Sequence, residues 1–516
     1  MVVTVFFRRP VLAVVLAVVI MVLSTGCTAR PRTAPRPSTA PTPLAVASAP
    51  WPSAEATRTE NARHGDRGWI VAAARPALLQ GWADDVSVHP GGIVGLHVAA
   101  AHSYTVNAYR TGWYAGVGGR LVWTSGLLPP QVQPAPTMTA ATRTVSAANW
   151  RTTLAVSTAG WPPGVYVLVL RDGAGDGWQI PLTVLSPTTA GALVLMNAVT
   201  TWAAYDAWGG YSLYHGPSGA RADRAYAVTF DRPYDFGTGA ADFDGNEWPA
   251  IALAEKLGMP VAYVTDVDLA RDPHLLDGAR ALVSLGHDEY WSQTMLDAAL
   301  TARSRGVNLA FLGANAAYRH IRLQPSPFGP ARVVVNYKGS AGLDPVMRTN
   351  PREATFDWPS GPFPRPESAL TGAMYRCNGV HADLVVADPS HWLLRGLDVR
   401  AGQHFAGMVG DEYDGVGPGV RSPQPLQVLF HSPLVCGGVH DAADVTWYTT
   451  PSGAGVFDAS TSAWVCMLVN PDVCGPQAND AGSRLAIAVT SRLLLALARG
   501  PAGIEHPAAG IAAASR

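Results

Sequence analysis

From residue 188 onward, four short apolar runs alternate with helix-patterned stretches, and no other feature restricts the fold of this 516-residue chain so tightly. The runs are "ALVLMN" at 192–197, "VAYVTD" at 261–266, "ALVSLG" at 281–286 and "NLAFLGA" at 308–314. Apolar residues at successive positions demand cover on both faces of a strand. "EWPAIALAEKLG" precedes the second run, and "SQTMLDAALTARSRG" separates the third from the fourth. Both read as helices. Strands alternating with helices predict an α/β fold with a parallel sheet. Ligands of such sheets bind beyond the C-terminal strand ends, here the corners at 197–206, 266, 286–290 and 315. "SRLAIAVTSRLLLALARG" near 483–500 predicts a closing amphipathic helix ended by Gly500. The Pro- and Gly-rich stretch from about 325 to 480 predicts insertions and an extra sheet.

Ahead of this body, residues 61–187 have a different texture. "VGLHVAA", "TVNAYR", "RTTLAVST", "GVYVLVLRD" and "WQIPLTV" are short β-like segments broken by Gly and Pro. They predict an antiparallel β-sandwich, with "DGAGDG" as a hairpin turn. Residues 28–60 are rich in Pro, Ala, Ser and Thr and read as an extended tether. At the start, Arg8 and Arg9 precede an apolar run from Val11 to Leu23 and the small residues of "STGC". This is a signal-peptide pattern. Its ending resembles a lipoprotein signal with Cys27 as the lipidated residue, although Ser24 stands where a large aliphatic is expected. An uncleaved signal anchor is the other reading, and both place the remaining chain outside the cytoplasmic membrane. The expected organisation is a signal peptide at 1–27, a tether at 28–60, a sandwich at 61–187, the α/β body at 188–502 and a tail at 503–516.

The net charge of -1 gives no basic excess for nucleic acid and no acidic excess for disorder. Cys377, Cys436, Cys466 and Cys474 permit two disulfides in three connectivities. They lack zinc-like spacing. Motifs for a serine nucleophile elbow, a zinc protease and a phosphate loop are absent. "DFDGNE" at 242–247 opens like a calcium loop but lacks the later ligands. "GDEYDG" at 410–415 reads as an acidic turn.

Chemistry concentrates at "GHDEYW", residues 286–291, where a strand should end and a helix begin. Asp288 is the expected N-cap and Glu289 suits a first helical turn. Neither role explains His287 beside them. "TWAAYDAWGGYSLYH" at 201–215 gathers Tyr205, Trp208, Tyr211 and Tyr214. "VTFDRPY" at 228–234 presents Tyr234. "GANAAYRH" at 313–320 sets Asn315 after a strand, facing the same crevice as His287.

In this order, "TWAAYDAWGGYSLY", "FDRPY", "VAYVTDVDL", "SLGHDEYWSQTM" and "NLAFLGANAAY" resemble the large subunit of N,N-dimethylformamidase and the proteins grouped with its C-terminal domain. "RPESALTGAMY", "SHWLLRG" and "TPSGAGVF" extend the likeness downstream, and "NAYRTGWYAGVGGRLV" with "WPPGVYVLVL" resembles the β-sandwich that precedes the domain. The resemblance implies a class I glutamine amidotransferase-like α/β domain preceded by an immunoglobulin-like β-sandwich. It implies one ferric ion, Fe(III), held by two tyrosines and a glutamate, and hydrolysis of a small linear amide. Carried over by motif, the glutamate is Glu289 and the tyrosines are Tyr205 and Tyr234, with Tyr211, Tyr214 and Tyr290 as neighbouring alternatives. His287 and Asn315 match the family's catalytic groups. Asp206 stands where the family commonly has Asn, which would add a carboxylate near the metal. Phenolate and carboxylate are hard oxygen donors that suit ferric iron. The function expected is a membrane-tethered, exported amidohydrolase of non-peptide C–N bonds, with a small-molecule amide as substrate. The alternative is a non-catalytic cell-envelope or carbohydrate-binding lipoprotein that retains the fold.

Overall fold

The computed structural model describes residues 49–469, 474 and 477–509. Cys27, the signal-like segment, the tether up to residue 48 and the end of the tail lie outside the described residues. The rest of the expected tether is not extended. Ala54–Asn61 is a helix capped by the Ser53 side chain on the Ala56 N–H. It docks through Glu60, which accepts from the Tyr114 hydroxyl at 2.7 Å and pairs with Arg120 at 2.6 Å. Polar residues hold this helix, which is why its sequence reads as a tether.

The four apolar runs form neighbouring parallel strands. Their order is Val261–Thr265, Leu193–Asn197, Ala281–Ser284, Asn308–Phe311, followed by Gly455–Asp458, also parallel. Val439–Thr449 and Leu426–Cys436 continue the sheet antiparallel, making it seven-stranded and mixed. Both faces are buried. Leu193, Leu195, Tyr263 and Val283 enter one core, while Val194, Met196, Val264 and Leu282 enter the other. The period of two deals successive side chains to opposite faces. Trp248–Lys256 and Gln293–Ser304 are the expected helices, and Asp480–Leu497 is the closing one. The chain order reverses between Leu193–Asn197 and Ala281–Ser284, which opens a crevice at their C-terminal ends.

Residues 79–184 contribute a three-stranded and a five-stranded sheet around a common core of Leu79, Leu96, Val98, Val106, Leu168, Ile180 and Leu182. One strand belongs to two cores. In Gly164–Asp172, Tyr166, Leu168 and Leu170 face the core between these sheets, whereas Val165, Val167 and Val169 join the α/β core with Leu193 and Leu195. The described residues accordingly belong to one compact unit. Across the seam, the fully buried Arg110 and Glu255 pair at 2.6 Å.

The irregular stretch holds long strands that its Pro and Gly content conceals. Met374–Val385 pairs with His404–Gly415, so the "GDEYDG" expected as a turn is strand. The disulfides are Cys377–Cys436 and Cys466–Cys474. "DFDGNE" lies in the helix Ala241–Asn246 and its C-cap, and forms no calcium loop.

Candidate active site

Gly286 makes the "GHDEYW" corner possible. Its φ is +52°, and a β-carbon there would lie 2.0 Å from the Asn246 carbonyl oxygen. Only glycine fits. The chain then turns sharply and runs into the short strand Tyr290–Ser292, which pairs with Arg319–Ser326. The helix begins at Gln293 with Ser292 as its N-cap, not at Asp288. Asp288 instead accepts from the Ser284 hydroxyl at 2.7 Å and the Trp291 indole at 2.8 Å, bracing the corner from behind.

Glu289 is fully buried at the crevice. Its Oε2 accepts from the Tyr205 hydroxyl at 2.8 Å and the Tyr214 hydroxyl at 2.6 Å, and the two phenol oxygens are 2.8 Å apart. Tyr290 donates to Tyr214 at 2.7 Å. Tyr205 ends the helix Val199–Tyr205, which leaves the strand Leu193–Asn197. Tyr214 returns from the following loop. Arg319 Nε donates to Glu289 Oε1 at 2.8 Å and also grips Asp357. Burial opposes ionisation of Glu289, but Arg319, then His287 and Lys338, outweigh it and hold the carboxyl at about 2. Burial, then the Glu289 charge, push both phenols well above their ordinary range.

Of the residues expected at the site, Tyr205, Glu289, His287 and Asn315 come together and Tyr234 does not. Tyr234 packs edge-on against Trp202 at 6.3 Å and lines a separate small cavity with Val199 and Phe230. It shares no hydrogen bond with the Glu289 cluster. Tyr214, one of the neighbouring alternatives, contacts Glu289. Asp206 also faces elsewhere, paired with Arg232 at 2.7 Å and accepting from the Asp235 N–H.

His287 Nε2 lies 3.1 Å from Glu412 Oε2 and 3.7 Å from Glu289 Oε2. Burial works against its charge, yet Glu412 and then Glu289 raise its pKa to about 9. Asn315, at φ +60°, donates through Nδ2 to Glu412 at 3.0 Å and through its backbone to Asp414 at 2.8 Å. A carboxylate requires a donor, so this contact fixes the amide orientation and leaves Oδ1 without a partner. Lys338 places Nζ 3.1 Å above the Tyr214 ring. Burial and Arg319 depress its pKa well below the ordinary lysine value. The sequence missed Glu412 and Lys338. A cavity of about 420 Å³, lined by Tyr214, Glu289, Asn315, Lys338, Tyr375 and Glu412 among others, opens onto these groups.

The family described as N,N-dimethylformamidase beta subunit-like, C-terminal, matches residues 105–478. The chain belongs to this family. Among curated proteins none matches the chain. The formamidase-like region begins inside the strand Tyr104–Thr111 of the five-stranded sheet and includes every residue of the cluster. Among the described residues no group of three or more His, Cys, Asp or Glu is arranged to hold a metal.

Proposed function

We propose that this formamidase-like chain hydrolyses linear amides or related C–N bonds at one ferric ion held by Tyr205, Tyr214 and Glu289. The observation that carries this is the mutual approach of two buried phenols and a buried carboxylate within 2.6–2.8 Å. Four short oxygen contacts join Tyr205, Tyr214, Tyr290 and Glu289, but three phenols supply only three protons. One contact thus lacks a bridging hydrogen. A trivalent cation satisfies this all-oxygen set, whose three ligands would balance its charge. Bound there, the ion would polarise an amide carbonyl and acidify a water molecule.

The chain's own groups do the rest. Glu412 is placed to accept a proton from the attacking water, and His287 beside it to deliver one to the departing nitrogen. Their 3.1 Å contact lets the pair exchange the proton between turnovers. With Nδ2 committed to Glu412, Asn315 offers Oδ1 as an acceptor for a substrate N–H and does not act as an oxyanion donor. Arg319 keeps Glu289 ionised and fixes its orientation.

The fold we propose is class I glutamine amidotransferase-like, preceded by an immunoglobulin-like sandwich. The parallel strand order and the two sheets around one core support it. Export, with Cys27 lipidated and the chain tethered to the membrane, is supported by two disulfides, which form in oxidising compartments.

The test is elemental analysis and visible spectroscopy of protein from iron-replete cells, followed by an amide screen with Glu289→Ala as blank. Stoichiometric iron and a tyrosinate-to-iron band, both lost in Glu289→Ala, are expected. A metal-free protein, or an active Glu289→Ala variant, would overturn the proposal. Iron without turnover would favour the binding-protein alternative.

A further inference from the structure

The cavity is far larger than a formamide needs, and part of its rim is cationic. Arg221 and Arg224 both line it. Arg221 is exposed, and among the described residues its guanidinium has no ion-pair partner. Arg224 spends its guanidinium on neutral oxygens: the Arg221 carbonyl at 2.9 Å, the Tyr337 carbonyl at 3.1 Å and the Ser340 hydroxyl at 3.1 Å. Its Nε is buried without a partner. The nearest acid in sequence, Asp223, is turned away and accepts from the Gly216 and Ser218 backbones at 3.2 and 3.1 Å. Of the other charged groups in the lining, Lys338 has no ion-pair partner among the described residues, and the rest are matched. Glu289 pairs with Arg319, and Glu412 with His287. Two guanidinium groups therefore face the cavity with no counter-ion.

The Arg224 contact to Tyr337 fixes where this rim lies. Tyr337 directly precedes Lys338, whose Nζ sits over Tyr214. The cationic rim is thus bonded to the segment 337–340, which carries Lys338. Glu289 and both arginines line the same cavity, so a molecule with its amide at Glu289 shares that space with them. Guanidinium recognises carboxylate through paired N–H donors.

We infer that, resting on the hydrolase reading above, the substrates are linear amides carrying a carboxylate, with the amide carbonyl at the Glu289 centre and the carboxylate held by the Arg221 guanidinium, to which Arg224 adds its charge. In the reaction a water oxygen bonds to the carbonyl carbon, the C–N bond breaks, one water proton leaves on the nitrogen, and the second, released by the new carboxyl, is taken up by the freed amine. The products are a dicarboxylate and an amine or ammonia, with no other reactant.

Succinamate and butyramide, matched in chain length and differing in charge, test this with the whole iron-loaded protein. Wild type should favour succinamate by at least tenfold in kcat/KM. Arg221→Glu should cut that preference at least tenfold, and raising the salt concentration should erode it. Equal kcat/KM for the two amides in wild type, or a preference that survives Arg221→Glu, would overturn the inference. Calorimetric titration with succinamate separates this from failure of the hydrolase reading. If neither amide turns over, binding that weakens at least tenfold in Arg221→Glu still upholds the anion site. Absent or unchanged binding removes it.

Discussion

Lysine is nearly absent from this chain. Only Lys256 and Lys338 occur, against 35 arginines. Where arginine serves almost everywhere, a surviving lysine marks a place arginine cannot fill, and that count was available from the sequence. Lys338 fits the description, since its compact ammonium is buried 3.1 Å over the Tyr214 ring, where the larger and always charged guanidinium is no equivalent. Lys338→Arg is expected to lower kcat at least tenfold, read by steady-state assay on the best amide of the screen. The tyrosines were less legible. Tyr205 follows from its position after the first strand, but choosing between Tyr214 and Tyr234 requires the path of the loop after Gly209 and Gly210, which no local pattern records. Tyr214→Phe should abolish the visible band and stoichiometric iron, whereas Tyr234→Phe should keep both. The opposite result would restore the assignment made from motifs. Glu412 was hidden for another reason. Its partner Asn315 lies 97 residues earlier, and the acids around it resemble a surface turn.

Among the elements, those with continuous apolar patterns were readable and those with interrupted patterns were not. The strands at 193–197, 261–265, 281–284 and 308–311 were anticipated because burial on both faces leaves an unbroken apolar run. Met374–Val385 and His404–Gly415 were not, since their register shifts at three places and breaks the alternation of inward and outward residues. Helix starts show the same limit. Asp288 and Ser292 both suit an N-cap, and pairing of Tyr290–Ser292 with Arg319–Ser326 decides for the later one. Ser292→Ala should cost about 1 kcal/mol in chemical denaturation, the usual worth of a cap. Gly286→Ala acts differently. It must displace the corner that presents Glu289, so iron content should fall even in protein that remains folded by circular dichroism.

For the whole molecule, the buried Arg110–Glu255 pair and the shared strand predict a single unfolding transition. Removing one partner, as in Glu255→Ala, leaves a buried charge and should cost about 3–5 kcal/mol without splitting that transition. Acid should weaken the fold through two buried histidines. Burial, aided by Arg322 and Arg365, lowers His320 to about 4, and burial lowers His391 to about 4. Unfolded histidine titrates near 6.5, so below that pH the unfolded chain takes up protons the native one refuses. Stability then falls as pH drops from about 6.5 to 4, by about 3 kcal/mol at most for each histidine. Denaturant titrations of His391→Phe at pH 7 and 4.5 should show a smaller acid loss than wild type. The strand Gly164–Asp172 carries a further consequence. Cutting the chain at residue 188, where the sequence texture changes, would bare Val165-, Val167- and Val169-shaped hollows over Leu193 and Leu195, an oily face in water. The smallest soluble form of the α/β half must keep the sheets that hold none of the Glu289 cluster.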